Sequence, residues 1–456
     1  MNQQRHTVSC FSLLALALVS AVGCTETIQG PAAGDGTATP EGGIRFFLPT
    51  GEPDNTSAPT VEVDAQGNTH AIYPAYAIGG AYYAFCGPGC SSPETTKVVH
   101  FETDGTVANA MLALDKQGRP RVLLSSYSKI YWASCDADCG EQASWSVSMI
   151  LDHNAEREVS GEALALDPEG RPRFLMHTYR AFLGIGQKAP ETLWVACDAN
   201  CGSPESWKQS VIQTEIWQGT HLRFDENGVA KVATVTDLTI DDVKVAYAAY
   251  VECAADCTTE EAWKGIGLGP AYSTEYDAVA IKPTVSLALT KAGAPRIAFM
   301  AKNEDSREIR YMGCDSDCSE DHWAGLILSD NSELAVGLDL ALDANDAPRI
   351  AYNLDFNIFL ATCDNAHCET GDHPWDLKKV EAGSDMPPDQ IFLYENCTVG
   401  AWFLHSPSIA LTASGEPRVG YQARDISGGW NKPNPQKADC VAGTDMTWSR
   451  LAFLPR

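Results

Sequence analysis

Basic residues are scarce in this chain, and their scarcity excludes several functions. Lys and Arg number 32 against 60 Asp and Glu in 456 residues, which gives a formal net charge of −28. Because nucleic-acid and anionic-membrane surfaces need clusters of Lys and Arg, we expect neither kind of surface. Long apolar runs are also missing after residue 24, so we predict no transmembrane helix. The apolar fraction of 44% is nevertheless enough for a folded core.

The N-terminus has the form of an export signal. Arg5 is the one Lys or Arg in residues 1–10, and residues 11–22 (FSLLALALVSAV) form a short apolar run. Residues 21–24 (AVGC) resemble the lipobox of bacterial lipoproteins, in which a small residue precedes a Cys that is lipidated. The resemblance implies a lipoprotein signal peptide over 1–23 and lipidation of Cys24, and ordinary signal cleavage nearby is the alternative.

The segment that begins at Cys24 indicates how the protein is attached to the membrane. Residues 24–43 are rich in Gly, Ala, Thr and Pro, a composition typical of a flexible tether. We therefore predict an exported, membrane-anchored lipoprotein at the outer membrane or cell surface, in which the lipid alone contacts the membrane.

One sequence unit occurs seven times in residues 44–456. Its first phrase is a pair of apolar-alternating segments around an acid-x-x-Gly turn, as in LALDKQGRPRVLL and LALDPEGRPRFLM. A second phrase contains two close cysteines, and a third has a Trp followed by alternating apolar residues. Period-two alternation predicts β-strands.

This repeat predicts an all-β fold. Four antiparallel strands, A to D, in each unit are typical of a propeller blade, and seven units form a closed seven-bladed β-propeller. The A–B and C–D turns then lie on one face, and the B–C and D–A loops lie on the other. We expect residues 44–48 (IRFFL) to dock as an extra strand or cap, and TWSRLAFL to form the last strand of the seventh unit.

The cysteine spacing favours disulfides over metal ligands. The six pairs fall on six different blades, so no four can converge on one ion, and an exported protein meets oxidising conditions. We predict hairpin disulfides for Cys86/Cys90, Cys135/Cys139, Cys197/Cys201, Cys253/Cys257, Cys314/Cys318 and Cys363/Cys368. Cys397 and Cys440 remain, and whether they pair stays open. We expect no metal and no cofactor, since Asp136-Ala137-Asp138 and Asp315-Ser316-Asp317 lack the further ligands of a Ca²⁺ loop.

The second phrase carries a family resemblance. Residues 134–140 (SCDADCG), followed by Trp145, resemble the Asp-box S-x-D-x-G-x-T-W of sialidase-like propellers, with a cystine inserted. The resemblance implies the propeller fold, and the Asp-box is a structural element in that family. The chain also resembles bacterial surface lipoproteins built of LALD-x-x-G-x-PRIAY repeats. Sialidases use an arginine triad, but the five arginines here recur at one strand-B position, which favours structural turn or blade–blade bonds: Arg121, Arg173, Arg296, Arg349 and Arg418.

Insertions in the repeat indicate where a ligand would bind. Four long segments, 179–191, 267–283, 378–406 and 423–437, all belong to the B–C and D–A face, and function usually resides in such loops. They carry the candidate ligand-binding residues Tyr179, Arg180, Tyr272, Tyr276, Tyr394, Trp402, His405 and Trp430. The alternative is that these aromatics fill small cores within the loops.

The sequence leaves three functional hypotheses. We favour a non-catalytic, lipid-anchored binding scaffold at the cell envelope, with a polysaccharide or protein ligand. The second is a sialidase-like glycosidase or lyase with acids and arginines converging near the channel on the inserted-loop face. The third is a structural envelope component without a ligand. No catalytic residue is predicted.

Overall fold

The chain folds into seven blades of four antiparallel strands arranged in a ring, which confirms the predicted propeller, and one blade carries a short fifth strand. The computed structural model describes residues 26–27, 42–50, 56–75, 78–126, 128–153, 158–179, 191–214, 217–240, 243–272, 284–302, 307–332, 337–386, 402–425 and 447–456. The described part contains no helix with the length and apolar character needed to cross a membrane.

Each blade takes its strands in chain order, with one exception. Blade one has β3 (Thr60–Val63), β4 (Thr69–Pro74), β5 (Ala81–Cys86) and β6 (Lys97–Phe101). Blade two has β7 (Asn109–Leu114), β8 (Pro120–Ser126), β9 (Lys129–Cys135) and β10 (Trp145–Asp152). Blade three has β11 (Glu158–Leu166), β12 (Pro172–Tyr179), β13 (Glu191–Cys197) and β14 (Trp207–Gln213). Blade four has β15 (Gln218–Phe224), β16 (Ala230–Ile240), β17 (Val243–Cys253) and β18 (Lys264–Pro270).

The remaining blades follow the same scheme. Blade five has β19 (Val285–Leu289), β20 (Pro295–Lys302), β21 (Arg307–Gly313) and β22 (Ala324–Ser332), with β1 (Glu26–Thr27) beside β22. Blade six has β23 (Leu338–Leu342), β24 (Pro348–Leu354), β25 (Asn357–Thr362) and β26 (Asp376–Ala382). Blade seven has β27 (Trp402–Leu411), β28 (Pro417–Asp425) and β29 (Thr447–Phe453). Short 3₁₀ turns occur at Pro93–Thr95, Gln142–Ser144, Pro204–Ser206, Glu260–Ala262, Cys368–Thr370 and Gly383–Asp385.

Blade seven is completed by a segment that precedes blade one. Its fourth strand is β2 (Ile44–Phe47), which pairs antiparallel with β29. The expectation that this segment docks as an extra strand is confirmed. The assignment of TWSRLAFL as the last strand was wrong, because it is the third strand of blade seven and β2 takes the outer place. Two segments far apart in sequence therefore close the ring by backbone hydrogen bonds.

The acid-x-x-Gly phrase forms the turn between the first two strands of a blade. In blade two, Asp115 Oδ1 accepts hydrogen bonds from the backbone N–H groups of Gln117 and Arg119, both at 3.0 Å. Gly118 has a φ of +74°, a region that an L side chain rarely adopts. The carboxylate and the glycine together specify this turn from local sequence alone.

The cystine phrase forms the turn between the third and fourth strands. All six predicted hairpin disulfides are present, which confirms the prediction: Cys86–Cys90, Cys135–Cys139, Cys197–Cys201, Cys253–Cys257, Cys314–Cys318 and Cys363–Cys368. The other three cysteines of the predicted sites, Cys24, Cys397 and Cys440, lie outside the described residues.

A tryptophan completes five of these six turns, those of blades two to six. In blade two the Trp145 indole Nε1–H donates to the carbonyl of Cys139 at 2.9 Å. The Trp of blades three to six makes the same bond to the second cysteine of its pair, at Cys201, Cys257, Cys318 and Cys368. The recurring order of Cys and Trp in the repeat therefore has a local structural cause.

The cystines also pack into the apolar core. Cys90 and Cys318 are 7% and 6% exposed and belong to core clusters. Cys201 and Cys257 are less deeply buried and pack against the edges of two further clusters. Each cystine therefore covers the C–D end of its blade as well as closing the turn.

The hydrophobic core lies between adjacent sheets. Between blades one and two, Tyr83 and Phe101 pack edge-on against Trp145 with ring centroids 4.6 and 4.7 Å apart. Leu112 and Val122 of blade two extend this cluster and are almost fully buried. Since each interface buries one face of two sheets, every blade is stabilised by its two neighbours.

Candidate functional site

The first strands of the blades form the inner wall of the ring. Each of β3, β7, β11, β15, β19, β23 and β27 contacts the first strand of the next blade, and β27 contacts β3. The position two residues before the turn acid, or before the Thr that replaces it, is alanine in five blades: Ala113, Ala165, Ala288, Ala341 and Ala410. Blade one has Glu62 there and blade four has Arg223. Charged groups thus replace alanine at two places on an otherwise small-residue ring.

Glu62 and Arg223 line the same cavity. It has a volume of about 420 Å³ and lies among the first strands and A–B turns of blades one to four, and we call it the central cavity. Its polar lining comes from Glu62, Asp64, Asp115, Lys116 and Arg223. The volume is within the range of small-molecule sites. The cavity lies at the A–B-turn end of the ring, whereas the sequence predicted a site on the opposite face.

The carboxyl group of Glu62 has an unusual proton affinity. Burial raises the pKa of Glu62 to about 7. The positive charge of Arg223 opposes this rise, and the negative charge of Asp339 adds to it. Near neutral pH the cavity therefore contains a carboxyl group that can donate a hydrogen bond as well as accept one.

Replacing Glu62 by Gln is expected to change the dependence of stability on pH. Between its ordinary pKa of 4.5 and the folded value of about 7, Glu62 holds a proton that the unfolded chain releases. Its contribution to stability therefore falls as pH rises through this window. We expect a fall on the order of 2 kcal/mol, because Glu62 is only partly buried and solvent screens part of the cost. Urea unfolding of both proteins at about pH 5 and about pH 8 measures this fall, which E62Q should lack.

The exposed Glu102, which follows the outer strand of blade one, provides the matched control. Glu102→Gln should keep the wild-type dependence on pH. An E62Q protein with the same dependence as the wild type would contradict the raised pKa of Glu62.

Arg223 differs from the repeated arginines because it has no ion-pair partner in the part of the chain that the structure describes. Its Nη1 donates to the carbonyl oxygen of Leu222 at 2.9 Å, and no carboxylate of the described residues pairs with it. The neighbouring Lys116 instead donates to the carbonyl of Pro168 at 2.7 Å. The guanidinium of Arg223 is therefore available to an anionic ligand in the cavity.

A second polar group lies on the inner strands of blades four to six. The Ser286 hydroxyl donates to Asp339 Oδ1 at 2.7 Å, and Nδ1 of His221 lies 3.3 Å from Ser286 Oγ. Asp339 Oδ2 also accepts the backbone N–H of Ile409 at 2.8 Å. Ser286 is buried, and its hydroxyl donates its hydrogen bond to Asp339 rather than to the imidazole of His221, so this arrangement lacks the serine-to-histidine bond of an activated nucleophile. It joins the first strands of adjacent blades.

The arginines repeated in register are structural, as predicted. In blade three, Arg173 donates to the carbonyl of Cys197 and to Asp198 Oδ1, and Arg349 makes the same pair of bonds to Cys363 and Asp364. Arg121 and Arg296 repeat the pattern. Arg418 departs from it, bonding to Glu416 and lying over the ring of Phe453. The first four arginines hold the cystine turns.

Comparison with known proteins supports the fold. An ulvan lyase of a new polysaccharide lyase family, bound to -[GlcA(1-4)Rha3S]-, has a TM-score of 0.50 at 11% identity, over 89% of this chain and 95% of that one. The polysaccharide lyase Uly1 has a TM-score of 0.46 at 9% identity, over 92% and 94%. An oligogalacturonate lyase from Vibrio parahaemolyticus has a TM-score of 0.46 at 11% identity, over 90% and 93%. The likeness is one of fold. No protein-family model and no curated protein matches the sequence.

The predicted ligand-binding residues do not form one described surface. Trp402 is only 2% exposed and packs on Phe47 and Trp448, so it belongs to the core of blade seven. Tyr272 is half-buried, with the Arg307 guanidinium 3.7 Å from its ring centroid. Tyr179 ends β12, but its side chain is outside the described part. The other residues outside the described part are Arg180, Tyr276, Tyr394 and Trp430.

His405 is the remaining candidate, and its surroundings disfavour a charged imidazole. Its ring stacks on Phe403 with centroids 4.6 Å apart, and Nδ1 lies 2.9 Å from Ser406 Oγ. Burial lowers the pKa of His405 to about 3, and the charge of Arg424 contributes to this shift. His405 is therefore neutral at physiological pH and packs against its own strand.

Sequence reasoning missed the two charged residues of the central cavity. The signal was present, since Glu62 and Arg223 interrupt a position that is otherwise alanine. A search for motifs within each unit does not reveal it, because the two residues lie on different blades. Aligning the units and asking where one departs from the rest would have found both.

Proposed function

We propose that this protein is an exported, lipid-anchored propeller that binds an acidic saccharide in the central cavity. The observation that carries the proposal is the presence of Arg223, which has no ion-pair partner among the described residues, together with Glu62 in one cavity of about 420 Å³. Both replace the alanine of the other five blades.

The chemistry of the two residues fits a carboxylated sugar. A guanidinium donates two parallel hydrogen bonds to a carboxylate, which fixes both position and charge. A Glu62 carboxyl with a pKa of about 7 can donate to an oxygen of the ligand and accept from a hydroxyl. The structurally similar ulvan lyase is bound to a saccharide that contains GlcA, an acidic sugar, which supports this ligand class.

The sequence of the N-terminal segment supports the proposed location at the cell envelope. A signal peptide over 1–23, lipidation at Cys24 and a tether over 24–43 would hold the ring at the envelope surface. Two or more acyl chains on one Cys anchor a protein stably. In this setting the cavity would meet polysaccharides outside the membrane.

Replacing Arg223 by Ala is expected to weaken binding of glucuronate-containing oligosaccharides by roughly 10- to 100-fold, the value of a hydrogen-bonded charge. Calorimetric titration of the oxidised protein measures this, with neutral oligosaccharides of equal length as competing ligands. Lys264→Ala removes an exposed positive charge from the outer strand of the same blade and should leave binding unchanged. Equal affinity for neutral sugars, or full affinity in R223A, would overturn the proposal. No binding of any saccharide would favour a protein ligand or a structural role.

A lyase or glycosidase is the second candidate, and Glu62 is the observation that favours it. General acid–base catalysis is most efficient when the group's pKa lies near the working pH, and the pKa of Glu62 is about 7. Turnover of an acidic polysaccharide that is lost in Glu62→Gln, while binding persists, would place this candidate first. Binding without turnover would leave the scaffold function.

A further inference from the structure

The cystine turns of blades five and six bring three metal-ligating side chains together. They are Asp315, from the turn after β21, and His367 and Glu369, from the turn after β25, and we call them the turn cluster. The ligand atoms of all three lie within 4.8 Å of one another. His367 Nδ1 lies 3.3 Å from Glu369 Oε1 and 3.7 Å from Asp315 Oδ2.

Two of the three residues depart from the repeat. Blade six is the one unit with four residues between its paired cysteines, and His367 directly precedes the second Cys. Glu369 follows that Cys, where the other units carry small residues: Ser91, Gly140, Gly202, Thr258 and Ser319. Both of these residues lie beside Asp315 of the neighbouring blade.

A second observation concerns the carboxylate of Glu369, which is buried and has one oxygen without a hydrogen bond. Glu369 is only 5% exposed, and its Oε2 makes no hydrogen bond. Arg296 balances part of the negative charge, with Nε 3.8 Å from Glu369 Oε2 and Nη2 2.8 Å from Asp315 Oδ1. Each carboxylate therefore turns one oxygen to Arg296 and the other to the imidazole of His367.

We propose that the turn cluster binds one Zn²⁺ ion and joins blade five to blade six, a site that the cysteine spacing did not predict. Imidazole and carboxylate are a donor set that suits zinc. Ligand atoms around a tetrahedral ion with bonds of about 2.1 Å lie roughly 3.4 Å apart, close to the distances from His367 Nδ1 to the two carboxylates. Arg296 orients the two carboxylates from behind, as partners of metal ligands do. Asp315 and His367 are more than half exposed, so the ion exchanges with solvent and its fourth position is open to water.

Titration of the oxidised, chelator-treated protein with Zn²⁺ tests this site. We expect one ion per chain and a rise in Tm on saturation. Co²⁺ should give the visible absorption of a tetrahedral site. His367→Ala should abolish both signals, and Glu369→Gln should weaken binding by more than the roughly 10- to 100-fold typical of an outer-shell partner.

His322→Ala is the matched control. His322 is an exposed histidine of blade five outside the cluster, so its loss should change neither stoichiometry nor spectrum. Because His367 is exposed, its replacement should leave the Tm of the zinc-free protein unchanged. Absence of saturable Zn²⁺ binding, or binding that survives in H367A, would overturn the proposal.

Discussion

Reducing the disulfides is expected to lower the free energy of unfolding more than any single substitution. Each of the six cystines closes a loop with a sequence separation of 4 or 5. A loop of this size contributes about 2 kcal/mol in the chain-entropy model, so full reduction removes on the order of 10 kcal/mol. Urea unfolding with and without a thiol-free reductant measures the difference.

A single cystine provides the matched test of additivity. The double variant Cys135→Ser with Cys139→Ser should lose about 2 kcal/mol, because the Trp145 indole still holds the backbone of the turn. An unchanged urea midpoint on full reduction would show that the turns are equally restricted without the covalent bond. It would then follow that the cystines serve another purpose than stability.

Replacing Arg450 by Ala is the second change with a large expected effect. Arg450 of β29 and Glu381 of β26 are 1% and 5% exposed, and they form two hydrogen bonds of 2.6 and 2.7 Å between blades six and seven. The Tyr421 hydroxyl also donates to Glu381, at 2.6 Å. Removing the arginine leaves a buried carboxylate without its counter-ion, which costs about 3–5 kcal/mol. Chemical denaturation measures the loss.

Two variants separate the charge from the packing. Replacing both Glu381 and Arg450 by apolar residues of similar volume, Leu and Met, should recover much of the loss, since no buried charge then remains unpaired. Lys97→Ala breaks an exposed pair with Glu141 that also joins two blades, and it should leave the midpoint unchanged. A loss of less than about 1 kcal/mol in R450A would contradict the argument.

The parts of the fold that could be predicted are those that the sequence of a single repeat unit determines. The acid-x-x-Gly turn, the paired cysteines and the Trp each satisfy bonds a few residues away, so local sequence specifies them. The predictions that failed concern residues whose environment depends on contacts between distant parts of the chain. From the sequence alone, Trp402 is interpreted as an exposed loop aromatic. In the structure it packs on Phe47, which precedes blade one in the sequence. The central cavity was missed for the same reason, since Glu62 and Arg223 line one cavity only when four blades are assembled.

The closure of blade seven by β2 sets the order in which the molecule can form. β2 precedes strands β3 to β28 in the chain, and its partner β29 follows them all. For a chain exported as proposed, the ring cannot close until β29 has crossed the membrane, and until then the outer edge of blade seven is open to other strands. Pairing of such distant segments is also slow to find. We expect the interval between export and closure to be when this protein most needs protection from aggregation, and the local cystine turns, which need only their own hairpins, can form during it.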